Sequence, residues 1–127
     1  MGMKIKGKVV TGLGASGKFL SIGWVNRAVC EKFAFNPFCG TLNIDVEDPA
    51  IQQELKEKGS NRITSCEEGF CDALAYRGRI NGRYDCGVII PLVPQYPEQI
   101  LEIVAPVHLK KALEIKDGDE IELELDT

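Results

Sequence analysis

The sequence predicts a small, mainly β fold, a barrel of short strands with about three short helices at the connections. Three observations carry that expectation. Runs alternating between apolar and polar residues recur along the chain, turn residues separate them at short intervals, and only a few stretches carry helical spacing or helix start and stop signals. A length of 127 residues suits one domain, expected to span 1–127, and 44% hydrophobic with 27% charged residues is enough for one core.

Taken in order, Lys4 to Thr11 alternates lysines with Ile5, Gly7 and Val9, the period of a half-buried strand. Gly12, Gly14 and Gly17 interrupt it, and Phe19 to Ile22 is extended again. Trp24 to Phe35 has near-helical spacing and ends in the turn Asn36-Pro37-Phe38-Cys39-Gly40. Thr41 to Val46 alternates strictly, so Leu42, Ile44 and Val46 share one face and Thr41, Asn43 and Asp45 the other. Asp48 as N-cap, Pro49 at the first position and Gly59 as stop define a polar helix over 49–58. Asn81-Gly82 is the strongest hairpin signal, flanked by strands from Phe70 to Arg79 and from Arg83 to Pro91. Glu98 to Ala105 is extended, Pro106 opens a helix through Leu113, and the turn Lys116-Asp117-Gly118-Asp119 leads into a last strand, Glu120 to Leu125, with its acids facing water.

Composition bounds the function classes. No apolar run approaches the ~20 residues of a membrane helix, and the N-terminus lacks the continuous apolar stretch of a signal peptide, so a cytoplasmic protein without a membrane partner is expected. Five cysteines, with no C-x-x-C pair, sit in apolar runs and are expected to be buried free thiols. The net charge of −4 is unevenly spread. Residues 1–30 carry five basic side chains and no acid, while residues 98–127 carry three lysines against nine acids. That asymmetry suits a small phosphorylated ligand better than a nucleic acid duplex, although solvated charge with no partner accounts for it too.

Three stretches carry candidate chemistry. Gly12-Leu13-Gly14-Ala15-Ser16-Gly17-Lys18-Phe19 nearly matches a phosphate-binding loop, but Phe19 stands where magnesium needs Ser or Thr and no helix pattern follows, which excludes a P-loop NTPase. Its glycines still let backbone N–H groups approach a phosphate and Lys18 adds charge; on the motif alone, a plain turn between strands is an equal account. Thr41 and Asn43 offer two neutral oxygens from one strand face to a hard cation, or are simply outward-facing polar positions. His108, beside Lys110 and Lys111, is either a surface residue or part of an anion site at the start of the last helix.

The ordered blocks Gly12-Leu13-Gly14, Phe19-Leu20-Ser21, Pro37-x-x-Gly40-Thr41-Leu42-Asn43, Asp85-Cys86-Gly87-Val88-Ile89-Ile90-Pro91, Tyr96-Pro97-Glu98, Glu102-Ile103-Val104-Ala105-Pro106-Val107-x-Leu109 and Leu113-x-x-Lys116-Asp117-Gly118-Asp119 resemble the archaeal CTP-dependent riboflavin kinases over nearly the whole chain. The resemblance implies a six-stranded cradle-loop barrel, related to swapped-hairpin transcription factors. It also implies transfer of the γ-phosphate of CTP to the 5′-hydroxyl of riboflavin, giving FMN and CDP. By resemblance Thr41 and Asn43 hold Mg²⁺, and Gly12, Leu13, Gly14, Ala15, Ser16, Gly17 and Lys18 wrap the nucleotide. Val107, His108, Leu109 and Lys110 complete the nucleotide site, and Glu102 matches a flavin-contacting glutamate. The expected partners are CTP or CDP and riboflavin or FMN, with no nucleic acid, on a monomer.

Two positions depart from the family pattern. Ala15-Ser16-Gly17-Lys18 replaces a Glu-Gly pair followed by a large residue, and Pro94 stands where a flavin-contacting Thr is usual. They motivate a second expectation, a non-catalytic flavin or nucleotide sensor, and the swapped-hairpin likeness a third, DNA binding. Independently of any family, Glu102 shares its strand face with Ile100 and Val104, an acid among apolar neighbours. Such a group either escapes to solvent at the barrel rim or is buried for a purpose.

Overall fold

A computed structural model describes residues 2–10, 23–36, 42–58, 62–63, 72–92 and 97–126. In chain order these form β1 (Gly2–Val10), α1 (Gly23–Phe33), β2 (Leu42–Asp45), α2 (Pro49–Lys58), β3 (Arg62–Ile63), β4 (Ala73–Ile80), β5 (Tyr84–Pro91), β6 (Ile100–Val104), α3 (Leu109–Ala112) and β7 (Glu120–Asp126). All strand pairings are antiparallel, in the order β3-β4-β5-β6-β2-β1-β7, and a further β4–β7 pairing closes six strands into a barrel.

Closure depends on β4 serving three neighbours. Its first residues, Ala73 and Leu74, pair with the short strand β3, which the sequence did not lead one to expect, while Gly78, Arg79 and Ile80 pair with Leu125, Glu124 and Leu123 of β7. Gly78 permits the approach, since a Cβ there would lie 2.3 Å from the Glu124 carbonyl oxygen. The hairpin tip extends the seam. Asn81 and Gly82 both take positive φ, as their residue types favour, and Asn81 exchanges hydrogen bonds with Glu122 through its own N–H and its Oδ1.

The period-2 patterns set the core. Ile5, Val9, Leu42, Ile44, Leu74, Tyr76, Ile80, Val88, Ile90, Leu101, Ile103, Ile121, Leu123 and Leu125 fill the barrel interior. The helices close its two ends. Because β2 and β6 run antiparallel, α2 follows the Asp45/Ile100 end and α3 the Leu42/Val104 end. Asp48 caps α2 by accepting from the Ala50 N–H, as its sequence signal predicts. Leu55 of α2 enters the core and its carbonyl accepts from the buried Tyr76 hydroxyl. The buried Gln52 amide donates to the Pro97 and Ile100 carbonyls at 3.0 and 2.9 Å, tying α2 to the start of β6.

A second apolar layer lies outside the barrel. Val29 and Phe33, one helical turn apart on α1, pack with Ile63, Ala73, Ala75, Ile89 and Val104 on the outer face of the sheet. Phe33 rests on Gly87, where a Cβ would lie 2.3 to 2.5 Å from the ring atoms.

Two helix expectations are corrected here. The helix expected from Pro106 through Leu113 is shorter, Leu109–Ala112, with His108 as N-cap; Pro106 and Val107 precede it as a bend. The helix expected from Trp24 to Phe35 starts one residue earlier and ends at Phe33, because Ala34 adopts φ 58° and breaks it. Part of the charge asymmetry is matched across one sheet face: β1 and β7 pair so that Lys4, Lys6 and Lys8 lie opposite Glu124, Glu122 and Glu120. Cross-strand pairs of opposite charge stabilise an exposed sheet face, so those lysines have a structural account without a phosphorylated ligand.

The described cysteines, Cys30 and Cys86, are in no disulfide and are half-buried and buried respectively, the Cys30 thiol donating to Asn36 Oδ1 at 3.4 Å; Cys39, Cys66 and Cys71 lie outside the described residues. Burial, with the Asp85 carboxylate adding to it, pushes the Cys86 thiol from 9.0 up to about 12. An unfolded chain therefore ionises this thiol at lower pH than the folded one, and stability falls as pH rises. The contribution is complete below about pH 9 and is lost on the way to about pH 12. Denaturant unfolding across that window is expected to lose stability more steeply in the native protein than in Cys86→Ala; parallel curves would refute the assignment.

Candidate active site

One row of residues running around the outside of the barrel gathers the candidate chemistry. Val10 of β1 is opposite Asn43 of β2, Asn43 is opposite Glu102 of β6, and Glu102 is opposite Ile89 of β5. Directly opposed residues carry Cβ atoms roughly 4.5–5.5 Å apart on the same sheet face, which sets the Asn43 amide beside the Glu102 carboxylate. Alternation explains the facing: Leu42 and Ile44, Leu101 and Ile103 turn inward, so Asn43 and Glu102 turn outward. Asn43 is half-buried and Glu102 only 6% exposed.

Glu102 does not escape to solvent at a rim; it is embedded beside Ile89 and two residues along the strand from the fully buried Val104. Holding a carboxylate in such surroundings is costly unless polar groups engage it. The sequence left open what Glu102 meets. Its polar neighbour Asn43 is 59 positions away in the chain, so no local pattern could have revealed the pair.

The remaining candidates divide by position. Gly12 to Lys18 and Thr41 lie outside the described residues; Val10, two residues before Gly12, belongs to this row, and Leu42, next to Thr41, turns into the core beside Asn43. Val107, His108, Leu109 and Lys110 follow β6 at the same end of the barrel. Leu109 is buried in the core, so its side chain is committed to packing and only its backbone is left for a ligand. His108 accepts from the Lys111 N–H through Nδ1 at 3.3 Å, capping α3. The Lys110 ammonium is held by Asp117 at 2.9 Å. Asp45, on the face of Asn43, accepts from the Glu47 N–H at 2.8 Å and serves the turn into α2.

No group of three or more His, Cys, Asp or Glu side chains capable of holding a metal occurs among the described residues. What the described residues do offer is one hard oxygen, the half-buried Asn43 amide carbonyl, which fits Mg²⁺, an ion that binds one or two protein groups and keeps water and phosphate as its other ligands. No helix of the described residues is long and apolar enough to cross a membrane.

The class of fold is thus a closed six-stranded antiparallel barrel, with a buried acid opposite an amide on its outer face. The family model CTP-dep_RFKase, described as "Domain of unknown function DUF120", matches residues 9–125. A riboflavin kinase of Ignicoccus hospitalis is 35% identical over 126 residues, covering 95% of this chain and 70% of its own. One of Methanothermobacter thermautotrophicus is 35% identical over 117 residues, covering 92% and 94%, and one of Saccharolobus solfataricus 34% identical over 129 residues, covering 97% and 74%. The chain belongs to the archaeal-type CTP-dependent riboflavin kinase family.

Proposed function

We propose that the protein is a riboflavin kinase that transfers the γ-phosphate of CTP to the 5′-hydroxyl of riboflavin, with CDP and FMN as products. The observation that carries this reading is the buried Glu102 directly opposite Asn43, at the barrel end where β1 leads toward Gly12 and β6 toward 107–110, the segments that the resemblance assigns to the nucleotide. Phosphoryl transfer demands little covalent chemistry of a protein; it demands alignment and neutralised charge.

In this reading Glu102 accepts a hydrogen bond from the 5′-hydroxyl, orients it toward the phosphorus and takes its proton as the new P–O bond forms. Dry apolar neighbours, Ile89 and Val104, hold the carboxylate to few rotamers and keep competing water away. Asn43, with Thr41, would hold Mg²⁺, which supplies charge neutralisation at the phosphates. The loop from Gly12 to Lys18 contributes backbone N–H groups and one ammonium to the nucleotide, and Val107, His108, Leu109 and Lys110 contribute the opposing wall. The duplex-binding alternative gains no support from β1, whose lysines lie opposite acids of β7.

Incubation with riboflavin, Mg²⁺ and CTP is expected to yield FMN and CDP in equal amounts, with ATP a poor substitute. FMN from ATP alone would overturn the choice of donor. Tight FMN or CDP binding with no turnover on any nucleotide would replace the kinase by a sensor.

A further inference from the structure

The turn over 116–119 and its flanks are bonded to the end of β1, which leads toward one segment assigned to the nucleotide, and to Lys110 in the other. On one side the Gly118 N–H donates to the Val9 carbonyl at 2.7 Å and the Val9 N–H donates to the Asp119 carbonyl at 2.8 Å, three residues before Gly12. On the other side Asp117 Oδ1 holds Lys110 Nζ at 2.9 Å, and the Ile115 N–H donates to the Lys110 carbonyl at 3.0 Å. The turn itself is closed by the Lys116 N–H donating to Asp119 Oδ2 at 2.9 Å. One short piece of chain therefore links the strand end that leads into the glycine loop with the segment 107–110.

We propose that Asp117 is a positioning residue for the donor nucleotide, holding the Lys110 ammonium on the side of the barrel where the glycine loop begins. This rests on the kinase reading, which assigns both segments to the nucleotide. The side chains of the pair are 40% and 48% exposed, and an ion pair of that exposure adds little to folding stability. Leu109, buried in the core, already anchors α3 without it. What the pair does change is the freedom of a long side chain. A lysine already held near its working place loses less entropy when a ligand arrives, and that saving appears as affinity.

The test is calorimetric titration of the full chain with CTP in the presence of Mg²⁺, and separately with riboflavin, for Asp117→Ala, Lys110→Met, the double variant and Asp117→Glu. Both single variants are expected to bind CTP roughly 3- to 10-fold more weakly, with riboflavin affinity and Tm unchanged. The double variant should be no weaker than Lys110→Met, because the two residues act as one unit, and Asp117→Glu should recover most of the loss. Asp117→Ala binding CTP as tightly as the native protein, or more tightly, overturns the proposal. So do additive effects in the double variant, or an equal loss for riboflavin. A native protein that binds CTP but makes no FMN defeats the kinase reading and leaves these affinities to judge Asp117; one that binds no CTP defeats both.

Discussion

Glu102→Gln is expected to lower FMN formation by roughly 10²-fold or more while leaving riboflavin binding close to native. The substitution keeps the shape of the side chain and one acceptor oxygen, so the hydroxyl can still be oriented, but an amide takes no proton at neutral pH. Folding should not suffer. Glu102 is 6% exposed and the amide fills the same space as the carboxylate, so Tm is expected to stay close to native. The combination separates chemistry from structure, because a residue needed only for folding would lower activity and Tm together. Turnover near native in Glu102→Gln would leave the carboxylate with an orienting role alone. Native binding and turnover in Glu102→Ala would remove it from the site.

The second large effect is expected at Asn43. Asn43→Leu should abolish most activity at any Mg²⁺ concentration with little loss of fold, since the side chain lies on the outer face and the core residues Leu42 and Ile44 point the other way. Thr41→Val should behave alike if it shares the metal. Asn43→Asp adds a discriminating measurement that needs no substrate. It places a second carboxylate directly opposite Glu102, and like charges facing one another across a strand pair destabilise. Without divalent cation its Tm should fall below that of the native protein, and Mg²⁺ should restore it, because a bound cation stabilises the folded state by mass action. Full activity in Asn43→Leu, or a Tm of Asn43→Asp indifferent to Mg²⁺, would place the metal elsewhere.

What could be read in advance was whatever belongs to a single segment. The alternation of Leu42, Asn43, Ile44 and Asp45 determined which of them face the core, since successive residues of any strand point to opposite sides. Asp48-Pro49 determined where α2 begins, and Asn81-Gly82 where the chain reverses, because those signals act through a residue's own backbone and its immediate neighbours. The same locality explains where the expectation for α3 failed. Pro106 is compatible with a helix start, but the chain bends through Val107 and the His108 side chain caps the first turn, so the helix begins at Leu109.

Pairing between segments lay beyond such patterns. That β1 lies against β7 turned an apparent separation of charge into rows of lysine and glutamate, and that Gly87 lies under Phe33 turned a glycine into the seat of a helix. The meeting of Asn43 with Glu102 is of the same kind, as is the bond between Lys110 and Asp117. The sequence by itself determined which residues of β1, β2 and β7 face the core, because burial there follows a period of two, whereas β4, β5 and β6 are also covered on their outer face by α1. Only the tertiary structure decided which side chains meet, because register and strand order come from filling one closed barrel with all six strands at once.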